Sequence, residues 1–466
     1  MNKYKKLGKN TILFIIGNFT QKILGFFLVP LYTAFMTTEQ YGTADLVVTL
    51  VSMLWPLCTI VINEACFRFL LDKQADKRQI ISACFWINML GIGVFLLISP
   101  LAYLVSTIKG YYLVIVIYFI VYTMESFLAY TARGMEKITE VVIGGIISSV
   151  VAVGCNLLFI IVFKFGVIGY LVGYIIGMSA STLWYFFKVG IASQIISPFK
   201  LDKKTTKEMI RYSLPMTPNS ISWWISNSSD RLLVTYYCGA GMNGIYSVAY
   251  KIPSLLSVIS SVFVNAWQIS AVEDFGSEEN RKFFSNVYRK YLAVNICGTS
   301  FLILCVRIIS RILFSADFFS AYLIAPYLLL GAVFKTLSAF LGSIYTSSKK
   351  TKMLFYSTMA GAVINIVLNV LFLKTMGVVG AAVATLISYF VVWLVRIIDT
   401  SKILMLERNH FIEIGSYLLV LIQILIWTFN ISSSYLLEAG LFLCVMLIQS
   451  KELVPVVIKL LKSVKR

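Results

Sequence analysis

The chain has 466 residues, of which 59% are hydrophobic and only 13% charged, with a mean hydropathy of +0.85. Soluble proteins carry about 25% charged residues, and no stretch of forty residues here lacks a long apolar run. This excludes a soluble domain held by a single anchor and indicates a chain dissolved in lipid. The formal net charge is +19, but the Lys and Arg lie between apolar runs, so they read as topology signals and not as a nucleic-acid surface. The eight Cys fall singly inside apolar runs with no C-x-x-C pair, as small core residues do. One histidine, His410, leaves little for a His-based metal site or general base. No G-x-x-x-x-G-K-[ST] run is present, so no ATP hydrolysis by the chain itself is expected.

In chain order, the apolar runs predict helices near 11–35, 43–69, 80–105, 111–132, 141–163 and 166–189. A polar linker follows. Further helices are predicted near 211–237, 243–270, 288–313, 321–346, 353–373, 377–400, 411–429 and 432–450. Each is long enough for a span of about 20 residues. The first begins after Lys3, Lys5, Lys6 and Lys9 and is too long for a signal peptide; no A-x-A site follows it.

The expectation is an all-α polytopic membrane protein of about fourteen helices. Alternate connections, among them the basic stretch from Arg396 to Arg408, hold about 31 of the 40 basic residues, whereas the opposite ones hold only Lys109, Lys164 and Lys374. The positive-inside rule then puts both termini in the cytoplasm. The opposite loops are short, which excludes a sizeable extracytoplasmic domain.

The chain also repeats itself. Gly166-Val167-Ile168-Gly169 is echoed by Gly377-Val378-Val379-Gly380, each followed by a ridge of small residues: Gly173 and Gly177 in one, Ala384 and Ser388 in the other. Asn156-Leu157-Leu158-Phe159 matches Asn369-Val370-Leu371-Phe372, and Tyr130-Thr131 matches Tyr345-Thr346. Asn18 and Tyr41-Gly42 echo Asn219 and Asn243-Gly244. The order is the same throughout. It predicts a six-helix N-terminal lobe over 1–189, a cytoplasmic linker over 190–210 and a six-helix C-terminal lobe over 211–402. Helices thirteen and fourteen with a basic tail occupy 403–466. Two like-oriented lobes around a midplane cavity suit a rocking transporter.

Polar groups inside the spans need a reason, since an ionisable side chain at mid-depth costs at least about 2.5–3.5 kcal/mol. Span one carries Asn18, Gln21 and Lys22 on one face. Span two carries Asp45, Thr49, Ser52, Pro56, Thr59 and Asn63 along one face, with Glu64 and Arg68 near its inner end. Span four carries Tyr118, Tyr122 and Glu125. Span seven carries Asn219, Ser222, Ser226 and Asp230, with Arg231 adjacent. Span eight carries Lys251 on a polar face, and Lys335 lies near mid-depth in span ten. Helix-to-helix pairing explains some of these, Glu64 with Arg68 among them, and snorkelling explains Arg307 and Arg311. Lys22, Lys251, Lys335 and Arg231 suggest a cavity for an anionic cargo, with Asn18 and Gln21 beside them. Glu64, Glu125 and Asp230 are candidate counter-ions or carriers of a coupling proton. Trp223, Trp224, Tyr118 and Tyr122 are available to stack on sugar rings. Prolines 30, 56, 215, 218, 253 and 326 fall within or at the ends of spans as fixed kinks or gates. The tail Lys451 to Arg466 alternates apolar and basic residues, as an amphipathic surface helix does.

Several stretches carry a family resemblance: Lys3-Tyr-Lys-Lys-Leu-Gly-Lys-Asn10, Pro30-Leu31-Tyr32 with Glu39-Gln-Tyr-Gly42, Gly244-Ile-Tyr246-Ser-Val-Ala-Tyr-Lys251, Ile364-Asn365-Ile366-Val367-Leu368-Asn369 and Gly377-Val378-Val379-Gly380-Ala381-Ala382. Together they cover nearly the whole chain. It resembles the polysaccharide-exporter branch of the multidrug/oligosaccharidyl-lipid/polysaccharide (MOP) superfamily, the O-antigen and capsule repeat-unit flippases of the Wzx type. The resemblance implies a MATE-like two-lobed bundle in the bacterial inner membrane. It implies a flippase, not an enzyme, that moves an undecaprenyl-pyrophosphate-linked oligosaccharide across the bilayer by alternating access. It needs no cofactor beyond a possible coupling ion, proton or sodium. Expected partners are the lipid-linked oligosaccharide, membrane lipids and glycan-assembly proteins, with no nucleic acid. The family does not supply the site residues, which rest on the polar-face argument alone. Alternatives are a cation-coupled multidrug exporter of the same superfamily, which favours acidic cavity groups, and a lipid II flippase. A membrane glycosyltransferase or polymerase lacks the external acidic loop it needs.

Overall fold

A computed structural model of the chain describes residues 25–26, 28–72, 74–191, 194–257, 260, 263, 267, 278–348, 352–431 and 434–455. Among them the secondary structure is helical throughout. Nine of the described helices are long and apolar enough to cross a membrane. The chain divides into two compact units: Met1–Thr235 with Gly239–Gly244, and Tyr236–Cys238 with Ile245–Arg466. This division falls at 235–245, beyond the 190–210 linker where the sequence repeat puts its boundary.

The first unit contains α1 (Val29–Phe35), α2 (Thr38–Thr59), α3 (Ile62–Leu70), α4 (Lys77–Ile98), α5 (Tyr112–Gly134), α6 (Ile138–Asn156) and α7 (Gly166–Tyr185). The linker runs into α8 (Lys203–Ser213), and α9 (Met216–Cys238) follows. Helix α2 opens on a capping box: the Thr37 hydroxyl accepts from the Gln40 backbone N–H, and the Gln40 side-chain carbonyl accepts from the Thr37 N–H, both at 3.1 Å.

The expected single span 43–69 is two helices. It breaks at Ile60 and Val61, both left-handed, with φ of 47° and 54°. A left-handed conformation costs an L-residue roughly 1–2 kcal/mol, so the neighbours must hold the break in place. Gly91 of α4 lies against it, leaving room for the Cys58 carbonyl. Below the break, α3, α4, α5 and α8 share a core of Ile62, Cys66, Cys84, Phe127 and Met209.

The linker is also fixed. Trp86 Nε1 donates to the Ile196 carbonyl at 2.9 Å, and the Ser82 hydroxyl donates to the Gln194 carbonyl at 3.1 Å. Asp202 caps α8, accepting from the Lys204 and Thr205 N–H groups and the Thr205 hydroxyl. Those donors, the Thr205 hydroxyl and N–H foremost, hold its carboxyl below the usual carboxylate range.

Helix α10 (Ala240–Ala249) straddles the division. The second unit continues with α11 (Glu278–Leu313), α12 (Ala321–Ser347), α13 (Lys352–Thr400), α14 (His410–Thr428) and α15 (Ser434–Ile448). The 49-residue α13 contains both expected spans, 353–373 and 377–400, interrupted at Gly377 with φ 60° and ψ −143°, a conformation open to glycine.

Arg396 departs from the topology reading, which counted it with a basic loop. It is 2% exposed and donates to Ser357 Oγ, the Ser338 carbonyl and Thr358 Oγ1 at 2.8–2.9 Å. It ties α12 to both halves of α13. The Arg307 guanidinium lies 5.5 Å from the Tyr322 ring and 5.8 Å from the Trp427 ring. The tail beyond residue 455 lies outside the described residues.

Candidate functional site

The polar face expected on span two is real, and it is covered. Asp45, Thr49, Pro56, Thr59 and Asn63 are buried along α2 and α3, and α9 meets this face. Arg231 Nη1 donates to Asp45 Oδ1 at 3.1 Å, with the side chains 22% and 10% exposed. Trp224 Nε1 donates to Ser52 Oγ at 3.0 Å. From Asp45 to Ser52 is two turns up α2, and from Arg231 to Trp224 is two turns down α9. The two helices are therefore joined antiparallel by a two-rung ladder. Between and beyond the rungs, Thr49 Oγ1 and Trp55 Nε1 are buried with no hydrogen-bond partner among the described residues.

Helix α5 presents the expected face toward the same region. Tyr118 and Tyr122 stack with ring centres 6.3 Å apart, and Trp55 meets Tyr122 edge-on at 5.9 Å. Glu125 lies close to Tyr118, Tyr122 and Tyr185. Glu64 accepts a hydrogen bond from the Tyr130 hydroxyl at 3.0 Å. Its expected pairing with Arg68 is not made, because Arg68 points to the exposed side of α3. The i, i+4 spacing was right, but Tyr130 offers Glu64 a partner within the bundle.

A tyrosine cluster beside Asp45 was not foreseen. The rings of Tyr32, Tyr41 and Tyr170 lie 4.9–6.0 Å apart, and Tyr174 stands 4.9 Å from Tyr170. The Asn156 amide and the Tyr32 hydroxyl are hydrogen bonded at 2.8 Å. With the amide oxygen toward Tyr32, the Asn156 NH2 reaches the Gly169 and Tyr170 carbonyls at 3.3 Å. Asn156, singled out by the repeat, thus joins α1, α6 and α7. The sequence signal for the rest was available in Tyr32 and Tyr41, which belong to motifs that were read for kinship and not for contacts.

The repeat also has a physical meeting point. Gly42 at the start of α2 lies against Gly244 in α10, its counterpart in the repeat. A Cβ on Gly42 would collide with the Ala240 carbonyl, and one on Gly244 with the Thr38 carbonyl. Asn243 Nδ2 donates to the Gly42 carbonyl at 2.9 Å.

Asn18, Gln21 and Lys22 lie outside the described residues. Asp230 is buried beside Arg231 in α9. Lys251 and Lys335 belong to the second unit. Lys251 is half-buried, and Lys335 Nζ stands 5.5 Å over the Tyr389 ring. No cluster of three or more His, Cys, Asp or Glu able to hold a metal occurs among the described residues.

A family model described as "polysaccharide biosynthesis protein" matches residues 7–268, more than half of the chain. The chain belongs to this family. It is 23% identical over 427 residues to an uncharacterized membrane protein of Methanocaldococcus jannaschii, covering 85% of this chain and 98% of that one. This member of the polysaccharide biosynthesis family has the fold of the lipid II flippase MurJ in an inward closed conformation. The TM-score is 0.72 at 18% identity, covering 96% of this chain and all of the other. It is also similar to an inward-facing multidrug-resistance MATE family transporter of the MOP superfamily, with TM-score 0.68, 12% identity, and 82% and 94% of the two chains covered. The family member shares the fold of these two transporters, and nine of its described helices are long and apolar enough to cross a membrane.

Proposed function

We propose that the protein moves an undecaprenyl-pyrophosphate-linked oligosaccharide repeat unit, of the O-antigen or capsule kind, across the bacterial inner membrane by alternating access. Membership of the polysaccharide biosynthesis family supports the class of cargo. The observation that carries the mechanism is the Asp45–Arg231 pair on the polar seam between α2 and α9. A guanidinium binds phosphate through several parallel N–H donors, so a pyrophosphate group competes with the Asp45 carboxylate for Arg231. Exchanging one anion for the other loosens one rung of the ladder between α2 and α9, which couples binding to helix movement. The indole and phenol rings of Trp224, Tyr118 and Tyr122 offer flat apolar faces to sugars. Lys22, Lys251 and Lys335, with Asn18 and Gln21, are the further candidate cargo-binding residues in this reading. Glu64, Glu125 and Asp230 serve as counter-ions or carry a coupling proton or sodium ion. The termini and basic loops face the cytoplasm.

The fold likeness to MurJ favours one further reading, a peptidoglycan-precursor cargo, which shares the pyrophosphate and the polyprenyl tail. Deleting the gene separates the two. The repeat-unit reading expects loss of surface glycan with accumulation of its lipid-linked precursor and normal cell-wall synthesis. Arrested wall synthesis with intact surface glycan would favour the other cargo.

A further inference from the structure

The second unit carries a groove of about 570 Å³ that the transport reading does not use. Its floor is buried and aromatic: Phe334 of α12, Trp393 of α13 and Tyr417 of α14 pack with ring centres 5.0–5.7 Å apart. Its walls are aliphatic and open, with Leu394, Ile398 and Leu418 each more than a third exposed. In a membrane-spanning chain an open apolar groove is filled by hydrocarbon, since water there would gain no partners.

Two features define the occupant. The first is length. Along α14 the lining runs from His410 to Leu421, about 16 Å at 1.5 Å per residue. Along α13 it runs from Leu386 to Ile398, roughly 18 Å on the same scale. Both are near half of the ~30 Å hydrocarbon core, the depth of a single leaflet. The second is charge. The ionisable side chains of the lining other than the floor's Tyr417, namely Arg408, His410 and Glu413, lie together at one end. Glu413 Oε2 accepts from Arg408 Nη1 at 3.0 Å and fixes that guanidinium at the mouth. Glu413 also lines the groove, but it is only 3% exposed, its Oε1 is buried and its Oε2 is engaged by Arg408, so the exposed groups at the mouth are those of Arg408 and His410.

The geometry points to a binding site for one anionic glycerophospholipid: an acyl chain in the groove and the phosphate on Arg408 and His410. A guanidinium and an imidazole at the end of a one-leaflet apolar trough match a phosphodiester at the end of a single fatty chain. A polyprenyl chain is longer than the trough.

The test uses the full-length protein, reconstituted in bilayers that contain phosphatidylglycerol with a photoactivatable group in its acyl chain. Cross-linked peptides should map to 386–398 and 414–421. The double substitution Leu394→Trp with Ile398→Trp fills the open wall and should cut that labelling at least fivefold. Diacylglycerol with the same reactive chain should label the groove several-fold less. Labelling of the unaltered protein spread evenly over lipid-facing helices would overturn the site. So would labelling indifferent to the Trp pair, or stronger labelling by a photoactivatable polyprenyl phosphate. Equal labelling by diacylglycerol would overturn recognition of the phosphate.

Discussion

Arg231 Nη1 lies 3.1 Å from Asp45 Oδ1, and seven residues along each helix Trp224 Nε1 lies 3.0 Å from Ser52 Oγ. The pair therefore does not stand alone: it is one rung of an antiparallel seam, and each rung restrains the other. Removing one partner of a buried ion pair leaves the other charge uncompensated, at a cost of up to about 3–5 kcal/mol. Arg231→Ala and Asp45→Ala should each lower the melting temperature of the purified protein. The double variant should lose less than the sum of the two. Strict additivity of the two losses would show that the pair is not coupled.

The contact of Gly42 with Gly244 makes a steric prediction. Neither position has room for a side chain, and forcing one in costs about 1–3 kcal/mol or more. Gly42→Leu and Gly244→Leu should reduce the yield of folded protein sharply. Gly154→Ala and Gly440→Ala, where no atom lies within 4 Å of the new Cβ, should behave like the parent in size-exclusion profiles. Normal yield of Gly42→Leu would break the account of the crossing.

Much of this was legible in the chain itself. The i, i+4, i+7 spacing of Asp45, Thr49 and Ser52 marked the face that α9 covers, and the Gly-Val-Ile-Gly and Gly-Val-Val-Gly stretches each begin at a glycine of positive φ, Gly166 and Gly377. The partners were not legible. Helical periodicity tells which residues share a face, but says nothing about which distant helix meets that face, so the pairing of Arg231 with Asp45 had no signal in the spacing. Arg396 was misread for a related reason. A basic residue near a helix end looks like a loop anchor until Ser338, Ser357 and Thr358 are brought to it by the fold. The break at Ile60 and Val61 carries no sequence signal, because β-branched residues rarely adopt φ above zero; Pro56, the expected kink, lies inside α2.

Glu64 and its hydrogen bond to Tyr130 separate two accounts of the inner end of α3. A hydrogen bond to a charged group contributes about 1.5–3 kcal/mol. Tyr130→Phe should therefore lower thermal stability measurably. Arg68→Ala, at an exposed position, should stay within about ±0.5 kcal/mol of the parent. The reverse order of the two effects would restore the Glu64–Arg68 pairing.

Arg396 has neutral acceptors on several sides, and its planar fork reaches Ser338, Ser357 and Thr358 at once. A lysine has one nitrogen and cannot span them. Arg396→Lys should destabilise the protein although the charge is kept. Thermal denaturation followed by tryptophan fluorescence would show it, and an unchanged midpoint would mean that charge alone matters there.

The central claim, that this seam serves a pyrophosphate-linked glycan, is tested most directly by transbilayer movement in proteoliposomes. An undecaprenyl-pyrophosphate-linked oligosaccharide is placed in one leaflet, and its arrival in the other is read with a membrane-impermeant glycan-modifying reagent. The parent protein should move the lipid-linked glycan. Arg231→Ala, in preparations confirmed to be folded, should slow it at least tenfold, and Arg231→Lys should retain part of the rate. Absence of movement by the parent, or an undiminished rate in folded Arg231→Ala, would contradict the account.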